Sequence, residues 1–368
     1  MNAFSLADGA SDSPTQRVLI FLLGSLGDTL VALPSLHLIA RRFPQAERRV
    51  LTDLMASPKT TSMATLLQGT GLIHDYFQYP GEQRGAERLR DYWSVAQAIR
   101  RWRPHLLVYL HEQRGWRIAL RDAAFFRLLG LTRIIGIPLS ADLQRVGFDE
   151  ATQRFEQRSE YLGRSLKELG DARLAERSSW DLSLSTLESA VARGKLAPLA
   201  ECPGILAFSI GTKIEVNEWG DDNWRSLLAR LGELLPAWGV VALGAPVERE
   251  RSAAILCAAS MPTLNLCGEL SVRESGALMQ ACRVFVGHDS GPMHLAAAVG
   301  TRCVAIFSAR NLPGRWFPYG AGHRVLYHKT ECFGCGLRIC TQHAKKCIAS
   351  ITVDEVCTAI SASLQEAG

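Results

Sequence analysis

Residues 17–23, RVLIFLL, form an unbroken apolar run that stops at Gly24-Ser25-Leu26-Gly27-Asp28 and gives way to a helical pattern through Arg42. A strand that is apolar at every position, not at alternate ones, must be covered on both faces, which is the condition of a parallel sheet. The same order of apolar strand, glycine loop and helix continues through candidate strands 49–52, 72–77, 106–109 and 133–136, with a helix at 92–102 ending before Pro104. Residues 150–185 read as mainly helical, with FEQRSEYLGRSLKELG as an amphipathic segment. The pattern then restarts: strands are expected at 204–210, 239–243, 284–287 and 303–307, and helices at 223–235, 273–281 and from His294 to Val299.

Alternation of this kind predicts an α/β protein of two Rossmann-like doubly wound domains. The expected layout is a disordered tail over 1–16, a first domain over 17–188, a second over 189–350, and a terminal helix over 351–368 packing back on the first domain. A chain of 368 residues accommodates two such cores.

Composition narrows the function classes. The formal net charge of +5 suits an anionic small ligand but is too weak to argue for nucleic acid. The first fifteen residues lack the basic start and apolar core of a secretory signal, and no run approaches the length of a membrane span. The expectation is a cytoplasmic protein with at most peripheral membrane contact.

Chemistry is expected in the loops beyond the carboxyl ends of the strands, where open α/β sheets bind ligands. Gly24–Asp28 is neither a dinucleotide fingerprint nor a P-loop, so it is a tight turn ending in an acid. Asp28 there can be a general base or the cap of the helix that follows. His288-Asp289-Ser290-Gly291-Pro292-Met293-His294 joins a strand to a helix start, an anion site in which N–H groups and the helix dipole face the ligand. A capped helix with a structural histidine is the plainer alternative. Ser209-Ile210-Gly211-Thr212-Lys213 supplies hydroxyls and a cation of the kind a diphosphate needs. Glu248, just past another strand, can take ribose hydroxyls or cap a helix. Glu112, Arg114 and Arg117 share a polar loop with Trp116 that suits an anionic or carbohydrate ligand, or merely faces solvent.

Two of these stretches, RVLIFLLGSLGDTLVALPSL and VGHDSGPMHLAAAVGTRCVAIF, resemble the ADP-heptose:lipopolysaccharide heptosyltransferases, glycosyltransferase family nine. The resemblance implies the GT-B fold, inversion at the anomeric carbon and no metal required for catalysis. It makes Asp28 the base. It places the donor diphosphate on Asp289, Ser290, Gly291 and His294, with Ser209, Thr212 and Lys213 opposite. Lys213 and His294 carry positive charge toward the leaving group, and Glu248 takes the ribose. The acceptor, a glycan or glycolipid, falls to Gly27, Glu112, Arg114 and Arg117. Asn217 stands where the family often has a lysine two residues before the motif tryptophan, here Trp219. A transferase using UDP- or GDP-sugar, and a non-catalytic binder of nucleotide sugars, remain alternatives.

Cysteines are abundant. Cys202, Cys257, Cys267, Cys282 and Cys303 lie among apolar neighbours and read as small buried thiols. Cys332, Cys335, Cys340 and Cys347 have the spacing C-x2-C-x4-C-x6-C, with His343 among them, which suits a structural Zn or Fe as well as free thiols or disulfides.

Overall fold

The structure, a computed structural model, describes residues 16–53, 62–79 and 86–366. Apart from Gln16, the expected tail lies outside them. The strands of the first half are β1 (Arg17–Phe21), β2 (Glu47–Thr52), β3 (Asp75–Gln78), β4 (Leu106–Tyr109) and β5 (Ile134–Ile135). A small antiparallel hairpin, β6 (Phe148–Asp149) and β7 (Arg154–Phe155), precedes the second half. There the strands are β8 (Ile205–Ser209), β9 (Gly239–Ala242), β10 (Thr263–Asn265), β11 (Val284–His288), β12 (Arg302–Phe307) and β13 (Arg324–Tyr327). The helices up to the second half are α1 (Leu26–Arg42), α2 (Met63–Leu67), α3 (Ala86–Trp102), α4 (Trp116–Leu128), α5 (Arg158–Ser165) and α6 (Thr186–Leu196). They are followed by α7 (Asp221–Leu234), α8 (Arg249–Leu256), α9 (Val272–Gln280), α10 (Gly291–Val299), α11 (Lys346–Ala349) and α12 (Val353–Gln365).

Both main sheets are parallel, in the orders β3-β2-β1-β4-β5 and β10-β9-β8-β11-β12-β13. The order in which the chain adds strands reverses between β1 and β4 in one and between β8 and β11 in the other, which opens the crevice where such sheets bind ligands. The apolar run of β1 is explained by its two coverings. Val18, Ile20 and Leu22 enter one core with α1, while Leu19 and Phe21 enter another with α3 and α4. In β8, Ala207 joins the first of these cores, and Leu206 and Phe208 join a third beneath α7 and α12.

The first core is continuous across the two halves, because α1 packs directly on α10. Polar ties reinforce that seam: buried Arg273 of α9 pairs with Glu188 at 2.6 Å and donates to the carbonyls of Leu66 and Leu182. Glu188 sits in α6, so the stretch expected to hold the domain boundary is a helix, and it packs on α9.

The terminal helix does not return to the first half. Val356, Cys357 and Ile360 of α12 fill the core formed with Trp224 and Leu228 of α7, and Arg302 of β12 donates to Ser363 O at 2.8 Å. Residues 150–185 are also less helical than their pattern suggests, with one eight-residue helix and two 3-10 turns. Among the described residues no helix is long and apolar enough to cross a membrane.

Candidate active site

The loops after β1, β8, β9, β11 and β12 converge on a cavity of about 490 Å³ between the halves. Its lining includes Gly27, Asp28, Ser209, Thr212, Lys213, Glu248, Asp289, Ser290, Gly291 and His294. Glu112 lies just behind it, and the structure does not bring Arg114 or Arg117 to it. Arg114 is held by Asp122 at 3.2 Å and Tyr109 Oη at 3.3 Å, and Arg117 points to solvent on α4.

Two glycines permit the approach on the first-half side. Gly24 has φ +132°, and a Cβ there would sit 2.3 Å from the Asp28 carboxyl carbon. A Cβ on Gly27 would come within 3.2 Å of the His294 ring, so its bare backbone lets α1 meet α10. Asp28 resolves the choice between cap and chemistry by serving the cap while facing the cavity. Its Oδ2 accepts from Ser25 N at 2.7 Å, and its Oδ1 pairs with Arg158 at 3.2 Å. Ser25 Oγ also donates to Oδ2 at 3.3 Å, and since a carboxylate has about four lone-pair sites these three donors leave room for one more.

Behind Asp28 stands a chain of buried charges. Arg158 also binds Glu112, and Glu112 binds Arg315 at 2.7 Å. Arg315 donates to Glu156 O at 2.7 Å, while Trp316 lies over the Arg158 guanidinium, 4.7 Å from its carbon to the ring centre. Arg158 and Arg315 come from opposite halves, so this network crosses the seam. Both arginines hold the Glu112 carboxyl below its usual range against the opposing effect of its burial.

The second-half side is built differently. Ser290 is the N-cap of α10 and leaves its Oγ without a hydrogen-bond partner; Ser209 Oγ and His294 Nε2 are likewise buried and unpartnered. The first N–H groups of any helix have no intrahelical acceptor, so the α10 terminus presents backbone donors at the same place. Burial pulls the His294 imidazole down to about 4, with Arg158 adding to the shift. In the ligand-free chain the neutral imidazole is therefore the favoured form near pH 7. Burial pushes the Asp289 carboxyl up to about 7 although Asn311 donates to it at 3.0 Å. A carboxyl that is readily neutral repels an anion at the helix terminus less than a fixed charge would.

The cations facing the cavity are Lys213, whose half-burial lowers its affinity for a proton, and Arg310. Arg310 is fixed by the carbonyls of Leu337 and Gly336 at 2.8 and 2.9 Å. Asn217 donates to Asp289 O at 3.2 Å and accepts from Ser308 Oγ at 2.5 Å, so it braces the loop and carries no charge. Glu248 Oε2 accepts from Ala245 N at 2.8 Å, a capping role performed at the cavity wall. Thr212 closes a local turn with Ile214.

Sequence patterns gave no notice of Arg158, Arg310, Arg315 or Trp316. Arg158 reads as a surface charge of an amphipathic helix. The other three follow the end of β12, a position that the strand-end rule could have marked.

The four C-terminal cysteines are free thiols here, one of the three states their spacing allows, and not a tetrahedral thiolate set. Among the described residues no group of three or more His, Cys, Asp or Glu side chains is arranged to hold a metal ion, and all ten cysteines are free. The surroundings of the thiols differ, although Cys332 and Cys340 both lie near enough to Cys347 to raise its thiol's affinity for a proton. Cys332 lies 3.5 Å from Thr330 Oγ1, Cys340 takes N–H groups of its own turn, Cys347 is buried in α11, and Cys335 is exposed. Of the other cysteines expected in the core, Cys267, Cys282 and Cys303 are buried, whereas Cys257 is exposed and Cys202 is intermediate.

Residues 168–345 match the model of glycosyltransferase family 9 (heptosyltransferase). The chain is 26% identical to lipopolysaccharide heptosyltransferase 1 of Pseudomonas aeruginosa, over 88% of this chain and 87% of that protein. Its fold is similar to that of the glycosyltransferase family 9 protein from Veillonella parvula, with a TM-score of 0.73 and 17% identity over 97% of this chain and 100% of the other. It is also similar to the E. coli heptosyltransferase WaaC solved with ADP-2-deoxy-2-fluoro heptose, with a TM-score of 0.59 and 16% identity over 94% and 99%. The architecture is GT-B, two Rossmann-like halves facing each other across a cleft.

Proposed function

The chain belongs to glycosyltransferase family 9, and from that premise we propose that it transfers a heptosyl residue from ADP-heptose to a hydroxyl of a lipopolysaccharide-type glycolipid acceptor, with inversion. One observation carries the reading. A carboxylate from one half, Asp28, faces a helix N-terminus with unpartnered donors, Ser290 and His294, from the other half across a single cavity. A single displacement needs a base on the acceptor side and donors on the leaving-group side.

In this reading the ADP diphosphate lies at the start of α10, held by Ser290, the Gly291 N–H and His294, with Lys213, Thr212 and Arg310 around it. Ser209 adds a hydroxyl, and Glu248 takes the ribose. Asp28 removes the proton of the acceptor hydroxyl. The freed oxygen forms a bond to the anomeric carbon as the bond from that carbon to the phosphate oxygen breaks, and its electron pair departs with ADP. Arg158 fixes the Asp28 carboxylate in place, and Glu112 and Arg315 fix Arg158. Both substrates assign the reaction to the cytoplasm, at the inner face of the membrane.

Calorimetric titration with ADP, UDP and GDP tests the donor. ADP is expected to bind at least about tenfold more tightly than the others, and preference for UDP or GDP would replace the donor assignment. Turnover of ADP-heptose by the wild type, lost in Asp28→Asn, tests the chemistry. Tight ADP binding with no turnover in any acceptor mixture would leave a binding protein in place of an enzyme.

A further inference from the structure

Large apolar side chains are exposed unevenly. Five of them, Leu89 and Trp93 on α3 and Trp116, Leu120 and Leu128 on α4, sit on the two helices that cover one face of the first sheet. Leu120 is 58% and Leu128 76% exposed, and Trp93 63%. Singly exposed apolar residues are ordinary, but a concentration on one face is a recognition signal.

The register of α4 sharpens it. At 100° per residue, Trp116, Arg127, Leu120, Ala124, Arg117, Leu128 and Arg121 fall within an arc of about 140°. All seven are exposed. The one acid of α4, Asp122, is on the other side, buried against Tyr109 at 2.8 Å. Arg121, at the edge of the arc, pairs with Asp122 at 2.6 Å, which leaves Arg117 and Arg127 as the cations of an outward face that is apolar and basic with no exposed acid. On α3, Leu89 and Trp93 are one turn apart, with Arg90, Arg100 and Arg101 exposed beside them and Glu87 at the first turn.

A water-facing helix normally mixes both signs of charge and keeps tryptophan inside. A helix face combining Trp and Leu with Arg alone is the composition of an interfacial element, whose apolar side chains enter the acyl boundary while guanidinium groups meet lipid phosphates. Position agrees. Helices of a parallel sheet begin where strands end, so Leu89, Trp93, Trp116 and Leu120 lie toward the carboxyl ends of β3 and β4, the end at which the cavity opens. The loop joining β4 to α4 holds Glu112 of the network behind Asp28.

We infer that the α3–α4 face docks on an anionic lipid bilayer, which sets the first-half side of the cleft against the surface that carries a glycolipid acceptor. The docking surface stands on its own observations, and only its use for acceptor delivery rests on the transferase reading.

The full chain is tested by co-sedimentation with vesicles of phosphatidylglycerol and phosphatidylethanolamine and with vesicles of phosphatidylcholine. Binding is expected to the anionic vesicles, weakened by salt, and little to the neutral ones. Trp93→Ser with Leu120→Ser, and separately Arg90→Glu with Arg127→Glu, are each expected to lower the partition by about tenfold or more. All four positions are exposed, and unchanged ADP affinity in the variants confirms that the fold and donor site persist. Failure of the wild type to bind anionic vesicles, or equal binding by the variants, would overturn the inference. So would a dimer that Trp93→Ser with Leu120→Ser makes monomeric, since a second copy would then cover the face. A wild type that binds vesicles but not ADP supports the docking face and counts only against the transferase reading.

Discussion

The two halves of the cleft share a strand order but present different polar groups to the cavity. On the first-half side, Asp28 and Glu112 have partners within the protein: Ser25, Arg158 and Arg315. On the second-half side, Ser209 Oγ, Ser290 Oγ and His294 Nε2 are buried with none. A buried polar atom without a partner costs about 1–3 kcal/mol, so a fold keeps several together only where something else satisfies them. The first half therefore presents a group already oriented by its own network. The second presents a set of donors that a ligand completes. That division matches a base on one side and a departing diphosphate on the other.

The largest effect should come from the oriented side. Asp28→Asn keeps the reach to Ser25 N and removes basicity, so turnover should fall about 10²–10⁴-fold, while the melting temperature drops only as far as the weakened pair with Arg158 requires, since Glu112 still holds that arginine. Equal turnover would reduce Asp28 to a cap and erase the contrast. On the donor side, His294→Ala removes one N–H from a shared site. Its kcat/KM should fall about 10–10³-fold, roughly 1.4–4 kcal/mol, with ADP affinity declining alongside. Unimpaired kinetics would place the diphosphate elsewhere.

A third test uses pH. The Asp289 carboxyl is at about 7 in the folded chain against an ordinary value of 3.8. Between these values the folded protein holds a proton that the unfolded chain has released, so stability falls as pH rises from 4 to 7. Ligand-free Asp289→Asn should therefore be more stable than wild type at pH 8, by up to about 4 kcal/mol, and should converge with it near pH 4. Parallel melting curves for the two proteins across that range would remove the argument for a neutral carboxyl at the anion site. The smallest effect is expected at Arg114, which is spent on Asp122 and Tyr109. Arg114→Ala should cost about 1 kcal/mol of stability or less and leave ADP affinity and acceptor KM within about threefold. A large rise in acceptor KM alone would return it to the acceptor site assigned from its loop.

Much of this was legible because it is local. Continuous apolar strands, glycine loops and helix starts are properties of neighbouring residues, and they located Asp28, Ser209, Lys213, Asp289, Ser290 and His294 on strand ends. Their convergence follows from the topology. The terminal helix was misplaced because an amphipathic helix states that one face is buried and not against what. The short edge strands β10 and β13 passed unnoticed because three or four half-buried residues leave no periodic signature. The cysteine spacing suggested a metal set because spacing fixes only how far apart thiols can be. Whether they take up a metal-binding arrangement depends on the path of the loop, and among the described residues they do not.

By itself, then, the order of residues determined the repeated α/β architecture and the loops that face the cleft, since both depend on periodicity and on the backbone demands of glycine turns. Tertiary structure alone decided the electrostatics. An arginine on an amphipathic helix becomes the partner of Asp28 only when Arg158 is drawn to Glu112, which Arg315 holds from across the seam. A histidine becomes neutral, and an aspartate nearly so, only when packing strips water from them. Charge state and ion pairing depend on distance and desolvation, and neither exists until the two halves have closed on each other.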